Sequence, residues 1–202
     1  MTTLRDVLVL DVQNHPVQMP VLSAYRSNMQ FARLRHHDFC DANLADTQFN
    51  LADLVRAQLS GANLQRCNFH RARLNRVAAI AADFRDANLN QAQCDGADFT
   101  NADLSGANLS QAQFCGARLV NASLFGVRSN QSAHPARQQL NFTGADLRGA
   151  DLRDADLRNA ILTDVQLQGA RYNAGTVWPL GWNTADHGMI FDDHLLAREV
   201  AC

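Results

Sequence analysis

Two groups of side chains in the sequence have types that could support metal or acid–base chemistry. His36, His37 and Cys40 form an HHxxC cluster, and imidazole and thiolate groups are ligands that zinc prefers. No fourth ligand follows at the spacing of a known zinc motif. The DDH run at residues 192–194 is accompanied by neither a nucleophile motif nor a glycine-rich phosphate loop. We therefore expect no metal site, no cofactor and no enzymatic activity.

The composition of the chain excludes several classes of protein. The chain has 202 residues and a formal net charge of -2, so it is the size of one domain and lacks the basic excess typical of nucleic-acid-binding proteins. Its longest apolar run, residues 77–82, is too short to cross a bilayer. The N-terminal stretch lacks the features of a signal peptide, and five cysteines without a CxxC pair favour reduced thiols. We expect a cytoplasmic protein that contacts no membrane and binds no nucleic acid directly.

The elements that position these side chains are set by a five-residue period. Stepping by five from Leu34 to Leu124, and again from Phe142 to Tyr172, gives 26 central positions, of which 23 are Leu or Phe. The residue two before the central one is Ala in 20 cases. Neither a helix nor an alternating strand produces this pattern. The central residues that represent the predicted core are Leu34, Phe39, Leu44, Phe49, Leu64, Phe69, Phe84, Phe99, Leu104, Phe114, Leu119, Phe142, Leu147, Leu152 and Leu157.

The repeated pattern A-[DN]-L-x-x, seen as ANL at 42–44 and ADL at 145–147, resembles that of the pentapeptide-repeat family. The resemblance covers roughly residues 30–172. It implies an all-β fold, a right-handed quadrilateral parallel β-helix in which one pentapeptide forms each side and four form a coil. The central residue and the small residue two before it would share a narrow core, and six to seven coils would stack so that residues 20 apart lie above one another.

The extent of the repeat divides the chain into a central body and two ends. We predict a β-helix over residues 24–172, an N-terminal cap over residues 1–23 and a C-terminal cap over residues 173–202. Trp178 and Trp182 are expected to cover the last coil, and the acidic start of the final segment predicts a short helix. Pairing of two chains through an end cap, as in some relatives, is the alternative to simple capping.

The period breaks once, after Leu124. The next central position would be residue 129, but the period resumes only at Phe142, which predicts 13 additional residues in a polar loop over residues 126–138. Such a loop is either a partner-recognition segment or a neutral insertion. Its candidate partner contacts are Arg128, His134 and Arg137.

Outward positions that lie one predicted coil apart alternate in charge. One predicted column holds Arg33, Asp53 and Arg73, and another holds Asp46, Arg66 and Asp86. We expect weak ion pairs between successive coils at these positions. Residues 24–76 hold eight Arg against four Asp, whereas residues 77–124 hold two Arg against five Asp. This distribution predicts a basic end and an acidic middle.

Two functions are compatible with these features. The first is a non-catalytic scaffold that presents a rigid face, the loop or both to an unidentified partner protein. The second follows from the resemblance, because Qnr-type and MfpA-type members are DNA mimics that bind DNA gyrase or topoisomerase IV and protect these enzymes from quinolones or toxins. Duplex DNA carries one negative charge per roughly 1.7 Å, so a net charge of -2 favours the scaffold. The aspartates that would imitate phosphates are Asp83, Asp98, Asp103, Asp151 and Asp156.

Overall fold

The chain forms a right-handed quadrilateral β-helix, as the resemblance implies. A computed structural model describes residues 7–10, 16–19, 25–129 and 139–192. Each pentapeptide contributes one side of a coil, with a bridge residue between two extended residues and then a two-residue turn. Parallel β-bridges join equivalent residues of successive coils, for example Arg33 to Asp53 and Asp53 to Arg73. We number the four sides of the rod by the central residues of four successive pentapeptides. Side 1 contains Leu34, side 2 contains Phe39, side 3 contains Leu44 and side 4 contains Phe49, and each further coil adds one central residue to each side.

Backbone hydrogen bonds tie each coil to both of its neighbours. The amide of Leu34 donates to the carbonyl of Asp53 at 2.7 Å, and the amide of Asp53 donates back to the carbonyl of Ala32 at 2.9 Å. The same exchange recurs along the described coils. Because every coil needs a neighbour to satisfy these groups, the rod is cooperative along its axis.

The corners of the rod are turns whose second residue has the left-handed conformation. Arg56, for example, has φ 60°, and the corresponding residues one coil earlier and one coil later, His36 and Arg76, have φ 60° and 57°. Glycine occupies the same position at other corners, such as Gly96. Corner side chains project away from the core, so equivalent corner residues of successive coils form exposed columns.

The interior of the rod is filled by the central residues and the small residues two before them. Every central residue from Met29 to Leu167 in the described coils is at most 7% exposed. Among the described coils, Ala79 is the one small central residue of its column, and Val77 beside it is buried at 1% exposure. The larger valine at the small position therefore compensates for the smaller central residue.

The polar insertion is shorter than the period predicts. Val127 and Ser129 are 1% and 4% exposed, and Arg128 forms a β-bridge with Asn108, so the coil continues through residue 129. The next bridge joins residues 113 and 141, which are 28 apart instead of 20. The insertion therefore has eight residues, and the prediction that the loop begins at residue 126 is wrong. Residues 127–129, with the sequence VRS, form this last repeat before the insertion. They lack the Ala-x-Leu signature, so the period does not reveal the repeat.

The elements at the two ends are short. An antiparallel hairpin of β1 (Val7–Leu10) and β2 (Pro16–Met19) lies within the predicted N-terminal cap. Near the other end, β3 (Arg171–Tyr172) pairs in parallel with β4 (Ile190–Phe191), and a 3-10 helix spans Thr184–His187. The short helix predicted for the last residues falls outside the described part of the chain. Within that part, no helix has the length and apolar character needed to cross a membrane.

The tryptophans predicted to cap the rod lie against its last coil. Asp156 bridges to Val177, one position later than the regular spacing, and this bridge places Trp178 above Leu157 on side 4. Trp178 and Trp182 are partly buried against the core, and their rings stack with centroids 6.2 Å apart. The aromatic rings thus cover apolar surface that the missing next coil would otherwise leave exposed.

Candidate protein-interaction surface

Ion pairs connect successive coils at two of the four predicted contacts, Asp46 with Arg66 and Asp53 with Arg73, whereas in the described residues Arg33 with Asp53 and Arg66 with Asp86 form none. Arg66 donates two hydrogen bonds to Asp46, at 2.8 and 2.9 Å, and this contact lowers the pKa of the Asp46 carboxyl. On side 1, Asp53 accepts from both Arg73 at 2.9 Å and Arg35 at 2.7 Å. The columns therefore stabilise the stacking of coils while leaving much of the arginine surface exposed.

A second kind of ion pair lies within a single side of the rod. The residues before and after a central residue both point outward, so an Asp-Leu-Arg tripeptide places a carboxylate beside a guanidinium. Arg148 and Asp146 approach to 2.7 Å in this way, and Arg153 and Asp151 to 2.6 Å. The DLR and DFR tripeptides in the sequence were the signal that could have revealed these pairs.

Each of the five aspartates proposed as phosphate mimics faces an arginine. The pairs are Asp83 with Arg85 at 2.6 Å, Asp98 with Arg118 at 3.8 Å, Asp103 with Arg85 at 3.8 Å, Asp151 with Arg153 at 2.6 Å and Asp156 with Arg158 at 2.8 Å. Asp83, Asp103 and Asp151 share one column of side 3, with Ser123 between the last two, whereas Asp98 lies on side 2 and Asp156 on side 4. A row of unpaired negative charge, as in a DNA backbone, is thus not produced by these five residues.

Of the three residues predicted as loop contacts, Arg128 lies within the described structure. Arg128 belongs to the rod, where its Nη2 donates to the carbonyl of Gly106 at 2.9 Å. The expectation that Arg128 projects from a loop is therefore wrong, because the coil extends further than the repeat signature. His134 and Arg137 lie outside the described residues.

Several arginine side chains lie close together on side 1 and the corner that follows it. A surface depression of about 590 Å³ is lined there by Arg35, Arg56, Arg73 and Arg76 among other residues. Within the described ranges, Arg56 and Arg76 have no carboxylate within 4.0 Å, unlike Arg35 and Arg73. Sequence spacing could have revealed this surface, because His36, Arg56 and Arg76 occupy the same place in three successive coils.

The side chains singled out for chemistry are separated or engaged in structural contacts. His37 is half-buried, and its Nδ1 lies 3.0 Å from the carbonyl of Arg35, while the Cys40 thiol is exposed. The described residues contain no group of three metal-ligand side chains close enough to bind one ion. Asp192 pairs with Arg171 at 2.9 Å, which joins the last described residue to the rod.

Two central or small core positions hold buried thiols. Burial raises the pKa of Cys67 to about 12 and raises that of Cys94 well above its usual value. The Cys67 thiol also donates to the carbonyl of Leu44. Because the thiolate is the reactive form, both groups act as small apolar residues.

Comparison with known proteins agrees with this geometry. The family described as pentapeptide repeats matches the chain in eight copies, over residues 25–57, 52–91, 92–128 and 141–171. No curated protein matches the sequence.

Solved structures similar to the chain include the following three. HetL from Nostoc sp. strain PCC 7120, a pentapeptide repeat protein involved in heterocyst differentiation regulation, is 25% identical, with 83% of this chain and 80% of HetL covered and a TM-score of 0.39. A trypsin-treated variant of QnrB1, a plasmid-mediated fluoroquinolone resistance protein, is 20% identical, with 90% and 89% covered and a TM-score of 0.49. The pentapeptide repeat protein alr5209 from Nostoc PCC 7120 is 31% identical, with 62% and 84% covered and a TM-score of 0.28.

The family match spans most of the chain and ends where the regular coils end. It also skips the insertion between residues 128 and 141, where the regular spacing of the β-bridges is interrupted. On these grounds the chain belongs to the pentapeptide repeat family.

Proposed function

We propose that this protein is a non-catalytic scaffold that binds a partner protein through the outer surface of its rod. The observation that carries this proposal is the filled interior, in which every described central residue from Met29 to Leu167 is at most 7% exposed. Enzymes bind substrates in concave pockets that exclude water. A rod whose core admits no ligand leaves its outer faces as the functional surface.

The construction of the rod suits it to this role. On each side, backbone hydrogen bonds such as that from the amide of Leu34 to the carbonyl of Asp53 hold the outward residues of successive coils about 4.8 Å apart. Docking of a partner on such a face costs little conformational entropy, because the face is already rigid. Outward residues contribute little to the core, so each face can carry a different pattern of charge without loss of the fold.

DNA mimicry toward a type II topoisomerase is the competing function. It requires a dense row of exposed negative charge. Here each candidate aspartate has an arginine within 4.0 Å, and Arg85 lies within this distance of both Asp83 and Asp103. The arrangement of charge therefore favours the scaffold over the mimic.

The proposal is tested by affinity capture with the full chain. The folded protein and the same protein denatured before immobilisation are incubated with a soluble extract of the native cells, and retained proteins are compared by quantitative mass spectrometry. We expect a protein that is retained by the folded chain alone and that binds the purified chain in a stoichiometric complex. Failure to obtain such a complex would contradict the proposal.

A gyrase supercoiling assay separates the two functions. Purified protein is titrated into DNA gyrase with and without a fluoroquinolone. We expect no change in supercoiling at a large molar excess of the protein. Inhibition of supercoiling, or protection from the drug, would support the topoisomerase function instead.

A further inference from the structure

We propose that a cluster of cationic side chains on side 1 and its following corner binds an acidic segment of the partner protein. This inference rests on the proposed scaffold function and names the chemistry of the partner. We call the cluster the basic face, and its members are Arg33, Arg35, His36, Arg56, Arg73 and Arg76.

The corner part of the basic face is a column of stacked cationic side chains. His36, Arg56 and Arg76 occupy the left-handed turn position of the same corner in three successive coils. Their backbones therefore lie about 4.8 Å apart from one coil to the next. All three are exposed, and in the described part of the chain Arg56 and Arg76 have no ion-pair partner. Two guanidinium groups held at this spacing can each bind a separate carboxylate of one extended segment.

The flat part of the basic face has more arginine than its aspartates can neutralise. Asp53 is shared between Arg35 and Arg73, and Arg33 has no ion pair within the described ranges. Among the described residues, Asp95 is the one acidic side chain that lines the depression. The five arginines thus exceed the two aspartates by three positive charges, and a carboxylate-bearing ligand would complete the pairing.

The limited length of the basic face favours a protein ligand over nucleic acid. Beyond Arg76 the corner column continues with Gly96 and Gly116, and beyond Arg73 side 1 continues with Gln93 and Gln113. The positive surface is therefore three coils long, roughly 10 Å. A duplex lying along the rod would extend past it over positions that carry no cation for its phosphates.

Apolar side chains border and enter the same surface. Val55 is half-buried within the depression. On the corner that precedes side 1, Phe31 and Leu51 are 59% and 42% exposed, and they stand one coil apart. Arginine beside exposed aromatic and aliphatic groups is typical of protein interfaces. A phosphate backbone would leave these apolar groups without a contact, whereas an acidic peptide also carries apolar side chains.

The test measures binding of a labelled acidic peptide to the full chain by fluorescence anisotropy. The probe is a short fluorescein-labelled peptide of alternating glutamate and alanine, and its control has glutamine in place of glutamate. The test variant is Arg56→Ala/Arg76→Ala. The matched control variant is Arg118→Ala/Arg158→Ala, which removes the same charge from other sides of the rod. Thermal unfolding of both variants checks that the fold is retained.

We expect the acidic peptide to bind the wild-type protein, and the test variant to bind it about tenfold more weakly or worse. The matched control variant should keep its binding of the acidic peptide, and the glutamine peptide should not bind. These two results would show that binding occurs at the basic face and is not a general attraction between opposite charges. Raising NaCl from about 50 to about 300 mM should weaken binding. Absence of binding to the wild-type protein, or equal loss in both variants, would overturn the inference. Tighter binding of a DNA duplex, lost in the test variant, would also overturn it and assign the face to nucleic acid.

The same variants distinguish this inference from the proposed function. If a partner protein forms a stoichiometric complex equally well with the wild-type chain and with Arg56→Ala/Arg76→Ala, the scaffold function stands and the inference fails. If the acidic peptide binds at the basic face but no partner protein forms a complex, the scaffold function fails instead.

Discussion

The rings of Phe49 and Phe69 stack in parallel one coil apart, with centroids 4.9 Å from each other and 1° between their planes. From Phe69 the contacts continue through further rings of the core. The successive rings are Phe84, Phe99, Phe114 and Phe142, with centroids 5.2 to 5.6 Å apart. A continuous series of ring contacts, which we call the aromatic column although it passes from side 4 to side 1, therefore crosses the point of insertion and joins the coils before it to those after it.

Removing a ring from this column should destabilise the whole rod. Phe69→Ala is expected to lower the free energy of unfolding by about 3–5 kcal/mol, because it leaves a cavity between two aromatic neighbours. Urea denaturation followed by circular dichroism measures the change. Ile80→Ala is the control, because Ile80 is 41% exposed and its truncation should change the free energy by no more than about 0.5 kcal/mol. Equal effects of the two substitutions would contradict the role of the column.

The ion pairs within a side predict a pH dependence of stability. Arg148 donates to both carboxylate oxygens of Asp146, at 2.8 and 2.7 Å, and lowers the pKa of this carboxyl below its ordinary value of 3.8. The contribution of the pair is complete above that ordinary pKa and is lost as the pH falls through the lower folded pKa. Asp146→Asn should therefore lower the melting temperature at pH 7.

The difference between the wild-type protein and Asp146→Asn should shrink as the pH falls below the ordinary carboxyl pKa of 3.8. Thermal unfolding at several pH values measures it. Because Arg148 is about half exposed, salt should also reduce the difference. A difference that is the same at every pH would show that the ion pair does not cause it.

A polar residue in the core offers a stabilising substitution. Ser129 is 4% exposed at a central position of side 4, and no group in the described structure hydrogen-bonds to its Oγ. Ser129→Ala should raise the free energy of unfolding by about 1 kcal/mol, because it removes an unsatisfied buried hydroxyl. Ser123→Ala is the control, since the Ser123 hydroxyl lies 2.7 Å from that of Ser105. Stabilisation by both substitutions, or by neither, would contradict the assignment of Ser129 to the core.

The eight-residue insertion predicts which deletion the rod tolerates. Deleting residues 132–139 restores a separation of 20 between residues 113 and 141, so every column keeps its register. We expect this variant to unfold within about 1 kcal/mol of the wild-type protein. Deleting residues 126–138 instead removes Val127 and Ser129 from the core and shifts the following coils by one side. Denaturation curves should rank the second variant well below the first, and the opposite order would refute the register.

Much of the fold can be predicted from the five-residue period, because the same short pattern of side chains determines the structure of each side of each coil. Leu or Phe at every fifth position predicts the core, and a spacing of four pentapeptides predicts which outward charges meet, as with Asp46 and Arg66. The continuation of the coil to Ser129 could not be predicted in this way, because a polar residue stands at the central position and residues 127–129 lack the repeat signature. Similarly, a strict period places residue 177 above Leu157, whereas Trp178 lies there, one position later. The period alone therefore does not predict the contact of Trp178.

The candidate surface was only partly foreseeable. The excess of arginine over residues 24–76 predicts a basic end, and the column of His36, Arg56 and Arg76 follows from the spacing alone. The spacing does not predict which arginines lack an ion pair, because Arg35 and Arg73 come from different coils and share Asp53. Ion pairing of this kind depends on the direction of long side chains at the surface, and the repeat does not specify it.

The central claim, that the outer surface binds a partner protein and does so at the basic face, is tested most directly by site-specific photocrosslinking. A photoreactive residue replaces one residue on each side of a single coil, and the chain is crosslinked to its purified partner. The four positions are Gln93 on side 1, Ile80 on side 2, Arg85 on side 3 and Asn88 on side 4. We predict a crosslink to the partner from Gln93 that is several times stronger than from Ile80 or Arg85. Equal yields from all four sides, or a crosslink confined to the sides opposite the basic face, would contradict the account.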